Sequence, residues 1–154
     1  LARAQKNLHE LQDASKTLDR ALELEPKNTE VLNLLGLVAW KEKRLKDAQA
    51  FFERALDIDP AYTQSRNNLG IILYLLGRYE EAVSVWKQCL SIKPDYAEAH
   101  YNMGAALFKA GLYKQAAEAY QESLKFNSDD ASAHNNLGLA LSRSGRSKEA
   151  IDEW

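Results

Sequence analysis

The sequence predicts an all-α fold, a solenoid of stacked antiparallel helix pairs, and three observations carry that expectation. Pro26, Pro60 and Pro94 stand 34 residues apart, and Ser128 takes the next place in the series. All seven glycines fall in two columns of the same grid: Gly36, Gly70, Gly104 and Gly138 in one, Gly77, Gly111 and Gly145 in the other. Between these markers apolar residues recur at helical spacing, as in Leu69, Ile72, Leu73 and Leu76. A period of this length marks a helical repeat array, whose units bury their apolar faces only against their neighbours.

With the prolines placed at slot 32 of the repeat, full units cover 29–62, 63–96 and 97–130. A partial unit covers 131–154, and a partial unit 1–28 begins at slot 7. The chain therefore reads as one array over 1–154, cut inside a unit at both ends, as expected of a piece of something longer. In each unit slots 1–14 form a first helix. Slot 15 is a turn, where Gly77, Gly111 and Gly145 adopt a left-handed conformation without steric cost. A second amphipathic helix follows, as in Tyr79, Ala82, Val83, Trp86 and Leu90. Proline ends it, lacking an amide donor and restricting the residue before it. Asp95 and Glu98 have capping-box spacing at the start of the next helix.

Small residues recur where helices must approach. Slot 20 is alanine throughout, at Ala14, Ala48, Ala82, Ala116 and Ala150. Large residues flank them: Leu35, Leu69, Met103 and Leu137 at slot 7, then Phe52, Trp86, Tyr120 and Trp154 at slot 24. These columns resemble the tetratricopeptide repeat (TPR) pattern along essentially the whole chain. It is carried by Leu69-Gly70, Tyr79, Ala82, Trp86 and Pro94, and again by Met103-Gly104, Tyr113, Ala116, Tyr120 and Leu124. The resemblance implies a right-handed superhelix with a concave groove lined by the first helices. Lys43 at slot 15, Cys89 and Ser123 at slot 27, and Ser128 at slot 32 depart from the pattern.

The bulk chemistry narrows the function. Net charge is -2 with acids and bases interspersed, so no basic block invites nucleic acid. No apolar run is long enough to cross a bilayer, and direct membrane insertion is not expected. The lone Cys89 precludes an internal disulfide; a reducing, cytoplasmic location is the expectation. No catalytic constellation stands out, and no cofactor or metal is expected. Of His9, His100 and His134, the last two lack the ligand at i+3 or i+4 that a metal would need, and the histidines are read as structural. Cys89 sits in a small-residue slot where burial makes a thiol inert. Glu80-Glu81 and Asp129-Asp130 lie at helix starts, where they complement the dipole.

The resemblance also implies which slots face the groove: 2, 5, 6, 9, 12 and 13. Slot 6 holds Asn68, Asn102 and Asn136, a column broken at Leu34. Slot 5 holds Asn33, Asn67, Tyr101 and Asn135; slot 12 holds Trp40, Tyr74, Phe108 and Ser142; slot 13 holds Lys41, Leu75, Lys109 and Arg143. An asparagine amide donates and accepts, so a column of them suits the backbone of an extended peptide. Aromatics beside it supply contact area at low entropic cost. The column resembles the asparagine ladder in the TPR portion of the O-linked N-acetylglucosamine transferases. A second reading stands beside the first: the asparagines bond the neighbouring unit and fix its orientation, and the slot-12 aromatics pack between units. The carboxylate clamp for acidic chaperone tails is not expected, since slot 9 reads Leu37, Ile71, Ala105 and Leu139.

Three functions follow as expectations. The first is a non-enzymatic scaffold holding a peptide or a partner's helix in the groove. The second is a self-assembling oligomer, since end faces without polar caps invite stacking or helix exchange. The third is the substrate-recruiting arm of a larger enzyme such as a glycosyltransferase.

Overall fold

The computed structural model of the protein describes residues 2–146 and Ala150, with side chains from Glu10 onward. Leu1, the side chain of His9 and Trp154 lie outside the described residues, and so does most of the second helix expected in 131–154. The described residues form eight α-helices and no strand: α1 Ala2–Leu24, α2 Thr29–Lys41, α3 Leu45–Ile58, α4 Thr63–Leu75, α5 Tyr79–Ile92, α6 Ala97–Lys109, α7 Tyr113–Phe126 and α8 Ala131–Arg143. Every first helix (α2, α4, α6, α8) fills slots 1–13, and every second helix from α3 to α7 fills slots 17–30. The fold is an all-α solenoid. Its contacts group into two compact units, 1–72 and 73–154, with the boundary inside α4.

In the first unit α1 packs on α2 and α2 on α3. The buried residues of α2 (Leu32, Leu35, Val38, Ala39) and of α3 (Ala48, Phe52, Ala55) each recur at helical spacing. A Cβ added to Gly36 would lie 2.5 Å from Phe52 Cε1, so the slot-24 ring rests directly on the slot-8 glycine. The second unit repeats the device. There α5 packs on α6, α6 on α7 and α7 on α8, and a Cβ on Gly104 would meet the Tyr120 ring at 2.8 Å. Burial holds the Tyr120 phenol well above its ordinary range, with Tyr101 and Tyr74 adding to the effect.

The slot-15 turns share one geometry. Gly77, Gly111 and Gly145 have φ of 77°, 78° and 86°, and Lys43 adopts the same conformation at 64°. Arg44 N donates to Ala39 O at 2.9 Å and Lys43 N to Trp40 O at 2.8 Å, the paired bonds of a Schellman motif. A side chain in this conformation carries strain that glycine lacks. Lys43→Gly is therefore expected to raise stability by about 1 kcal/mol in urea denaturation, leaving the helix content unchanged.

Three local expectations are corrected. The capping box does not form: α6 starts one residue later, after Tyr96, whose side chain makes no capping bond. The cap belongs to slot 34, where Asn28 accepts from Val31 N at 3.0 Å and Asp130 accepts from Ser132 N and Ala133 N. Tyr96 is too long for that role and lies under the Lys93 ammonium, 4.7 Å from its ring centroid. Second, proline is not required to end a second helix. The α7 helix stops at Phe126, in the same slot as α3 and α5, although slot 32 there is Ser128. The preceding Asn127 takes a φ of -142° without proline's restriction. The loop is held from outside: His134 Nε2 bonds Ser128 O at 2.9 Å, His100 Nε2 bonds Pro94 O at 2.8 Å, and Arg66 donates to Pro60 O. A carbonyl only accepts, so each of these imidazoles carries its proton on Nε2. Third, α1 does not turn at slot 15. It runs on through His9, which lacks glycine's conformational freedom.

Two departures from the repeat pattern are accommodated in the core. Ser123, in place of alanine, donates to Ala97 O at 2.9 Å. Cys89 is completely buried.

Candidate functional site

The first helices present their slot-5 and slot-6 residues to one another. In the first unit Asn68 Nδ2 donates to Asn33 Oδ1 at 3.0 Å, and Ser65 Oγ donates to the same oxygen at 3.0 Å. In the second unit Asn136 Nδ2 donates to Tyr101 Oη at 2.9 Å. Two of the slot-6 asparagines therefore tie one repeat to the slot-5 residue of the repeat before it. Asn33 is 7% exposed and Asn67 2% exposed. Both were expected on the groove from their slot, and both are turned into the stack instead; a buried amide bonds inside the fold and is not offered to a ligand. Asn102 is half-buried.

Removing one partner of such a bond leaves the other unsatisfied. Asn136→Ala is expected to cost about 1 kcal/mol of stability, read from a shift in thermal midpoint. An unchanged midpoint would show that the bond to Tyr101 does not hold the repeats.

The slot-12 aromatics pack chiefly within their own repeat. Tyr74 meets Tyr79 with ring centroids 5.5 Å apart, and Phe108 meets Tyr113 at 5.1 Å in an edge-on arrangement. Each residue remains half-buried, so it is not sealed in the core. Trp40 is likewise half-buried. Lys41, Lys109, Asn135, Ser142 and Arg143 are exposed. In the second unit, Tyr74, Phe108, Lys109, Asn135 and Arg143 thus make an aromatic and cationic surface on the first-helix side.

Sequence reasoning passed over the exposed leucines of the same helix faces, Leu34 at 40% and Leu139 at 40%. The break of the asparagine column at Leu34 was the available signal. Leu34 borders a cleft of about 540 Å³ between α1 and α2. Leu11, Ala14 and Leu18 form its α1 wall; Leu34, Leu37, Val38, Trp40 and Lys41 form the other. Among the described residues no group of three or more His, Cys, Asp or Glu side chains could hold a metal. No described helix is long and apolar enough to cross a membrane.

Family models described as TPR repeat match residues 70–111 and 106–145, and models described as tetratricopeptide repeat match 1–63 and 51–84. No curated protein matches the chain. Among solved structures, MamA is similar with a TM-score of 0.86 at 20% identity, over 98% of this chain and 82% of that one. MamA from Desulfovibrio magneticus RS-1 is similar with a TM-score of 0.86 at 21% identity, over 99% and 87%. YrrB, described as a TPR protein with an unusual peptide-binding site, is similar with a TM-score of 0.79 at 22% identity, over 99% and 78%. At these identities the likeness is one of fold.

Proposed function

Since the chain belongs to the tetratricopeptide repeat family, we propose that it is a non-enzymatic interaction scaffold that holds an extended peptide or a partner's helix against its first helices. The observation that carries this reading is the surface of the second unit. Tyr74 and Phe108 are half-buried at slot 12, and Lys109, Asn135 and Arg143 are exposed on α6 and α8. Aromatic faces supply buried area, and the two cations select a ligand with acidic side chains. The peptide-binding site for which YrrB is described supports the same class of ligand.

The test is a fluorescence-anisotropy titration with a peptide selected against the chain by display. Phe108→Ala combined with Arg143→Glu is expected to weaken binding about tenfold or more while the chain stays folded, with helicity unchanged. A variant that binds as tightly as the parent would refute this reading.

Self-association is the second reading, favoured by Leu139, 40% exposed on the last described first helix. Light scattering over a concentration series tests it, and a strictly monomeric chain counts against it.

A further inference from the structure

Slot 34 closes each repeat, and its residue changes along the chain: Tyr62 in the repeat 29–62, Tyr96 in 63–96 and Asp130 in 97–130. Tyr62 is half-buried beside two carboxylates of its own repeat, Glu30 at slot 2 and Asp59 at slot 31. Burial holds its phenol above the ordinary range, and the two acids add to the effect. In the repeat 97–130 the shorter Asp130 stands in place of that ring, and a cavity of about 220 Å³ lies beside it. Ala97, Glu98, Tyr101, Ser123, Asn127 and Asp130 line this cavity. Glu98 and Asn127 occupy slots 2 and 31, so they are the counterparts of Glu30 and Asp59. The cavity thus corresponds to the place that the Tyr62 side chain takes in the first unit. Its charge differs, because Glu98 and Asp130 are both carboxylates and none of the lining residues is basic. The Asp130 carboxylate also covers the start of α8, accepting through Oδ1 from Ser132 N and Ala133 N. Those two amides are therefore not offered to an anion. Tyr101 supplies an aromatic wall, tied down where its hydroxyl accepts from Asn136 Nδ2 at 2.9 Å.

We propose that this cavity is a subsite for an arginine side chain of the peptide that lies against the first helices of the second unit, an inference that rests on the function proposed above. A guanidinium carries donors in a planar fork suited to carboxylates such as Glu98 and Asp130, and it stacks on an aromatic ring such as Tyr101. Its apolar stem can lie along Ala97 while the charge meets the acids. The subsite also sets a spacing in the ligand. Glu98 stands at the start of α6 and Lys109 at its end, about 16 Å apart along the helix axis. An extended chain covers that span in about five residues. The ligand therefore carries an arginine about five residues from the acidic side chain that meets Lys109 and Arg143. Such a ligand has opposite charges at its two ends, which fixes its direction on the surface.

The probe is N-acetylarginine amide, titrated into the chain and followed by backbone-amide NMR. Saturable shifts are expected at Glu98, Tyr101, Asn127 and Asp130, weakened about tenfold or more by Glu98→Gln. The neutral isostere N-acetylcitrulline amide should leave these amides unmoved. Asp130→Tyr restores the ring that Tyr62 provides and should abolish the shifts. The α6 helix forms behind Tyr96 without a side-chain cap, so α8 is expected to remain helical in this variant, as circular dichroism will show. The Phe108→Ala/Arg143→Glu variant should bind the probe as the parent does, which separates failure of the subsite from failure of the wider surface. Absence of saturable shifts overturns the proposal, as does equal binding of the citrulline compound or indifference to Asp130→Tyr. Shifts at the same amides with N-acetylglutamate amide in place of the arginine probe would also overturn it, for then the helix starts and not the carboxylates set the charge of the cavity.

Discussion

Phe52→Ala is expected to lower the folding free energy by about 3–5 kcal/mol, measured by urea denaturation. The ring is 0% exposed and lies between α2 and α3, the slot-24 residue of its repeat. Truncation removes its transfer energy and leaves a cavity that α2 cannot close without losing its own packing. An array is stabilised by nearest-neighbour interfaces, so the loss falls on the repeat 29–62 and its immediate neighbours. A broadened or two-step melt is the expected signature. A loss below about 1 kcal/mol would mean that the slot-24 ring is not what binds the pair.

Gly36→Ala is the second large effect, and its sign is informative. Alanine is the better helix former by about 1 kcal/mol, so propensity alone predicts stabilisation. The added Cβ would lie 2.5 Å from Phe52 Cε1 and 2.8 Å from Cδ1, and the ring is completely buried. Overpacking of this kind is expected to cost about 1–3 kcal/mol, leaving a net destabilisation. If the clash is the cause, the effect must depend on the ring. Combined with Phe52→Leu, the glycine substitution should cost less than it does alone, with a coupling of about 0.5–3 kcal/mol. Strict additivity would place the cost elsewhere in α2.

The backbone architecture was almost wholly legible in the sequence, because the columns that set it act through sterics alone. Glycine at slot 15 and the pairing of slots 8 and 24 leave few conformations open, and repetition made each visible several times over. Even Lys43, the wrong residue for its turn, was carried into the left-handed conformation by the packing on either side. What the sequence hid depends on what lies next to a residue in space. Asn33 and Asn67 share a slot with Asn135, yet the first two are buried while Asn135 is exposed. The asparagine column admitted two readings, and the bonds Asn68–Asn33 and Asn136–Tyr101 show two of its members tied to the neighbouring repeat. The cap was misplaced because Asp95 satisfied a spacing rule one residue from the slot that matters. The continuous course of α1 had no periodic signal, and the exposure of Leu34 was marked only by the break of the asparagine column there.

The central claim is that a partner meets the exposed residues of the first helices, apart from the buried side chains that build the stack. A backbone-amide NMR titration with a display-selected peptide tests it most directly. The account predicts shifts concentrated at Tyr74, Phe108, Lys109, Asn135 and Arg143, with the amides around Phe52, Ala116 and Tyr120 undisturbed. Shifts confined to the outward faces of α5 and α7, around Ser84 and Glu118, with the first helices silent, would contradict it.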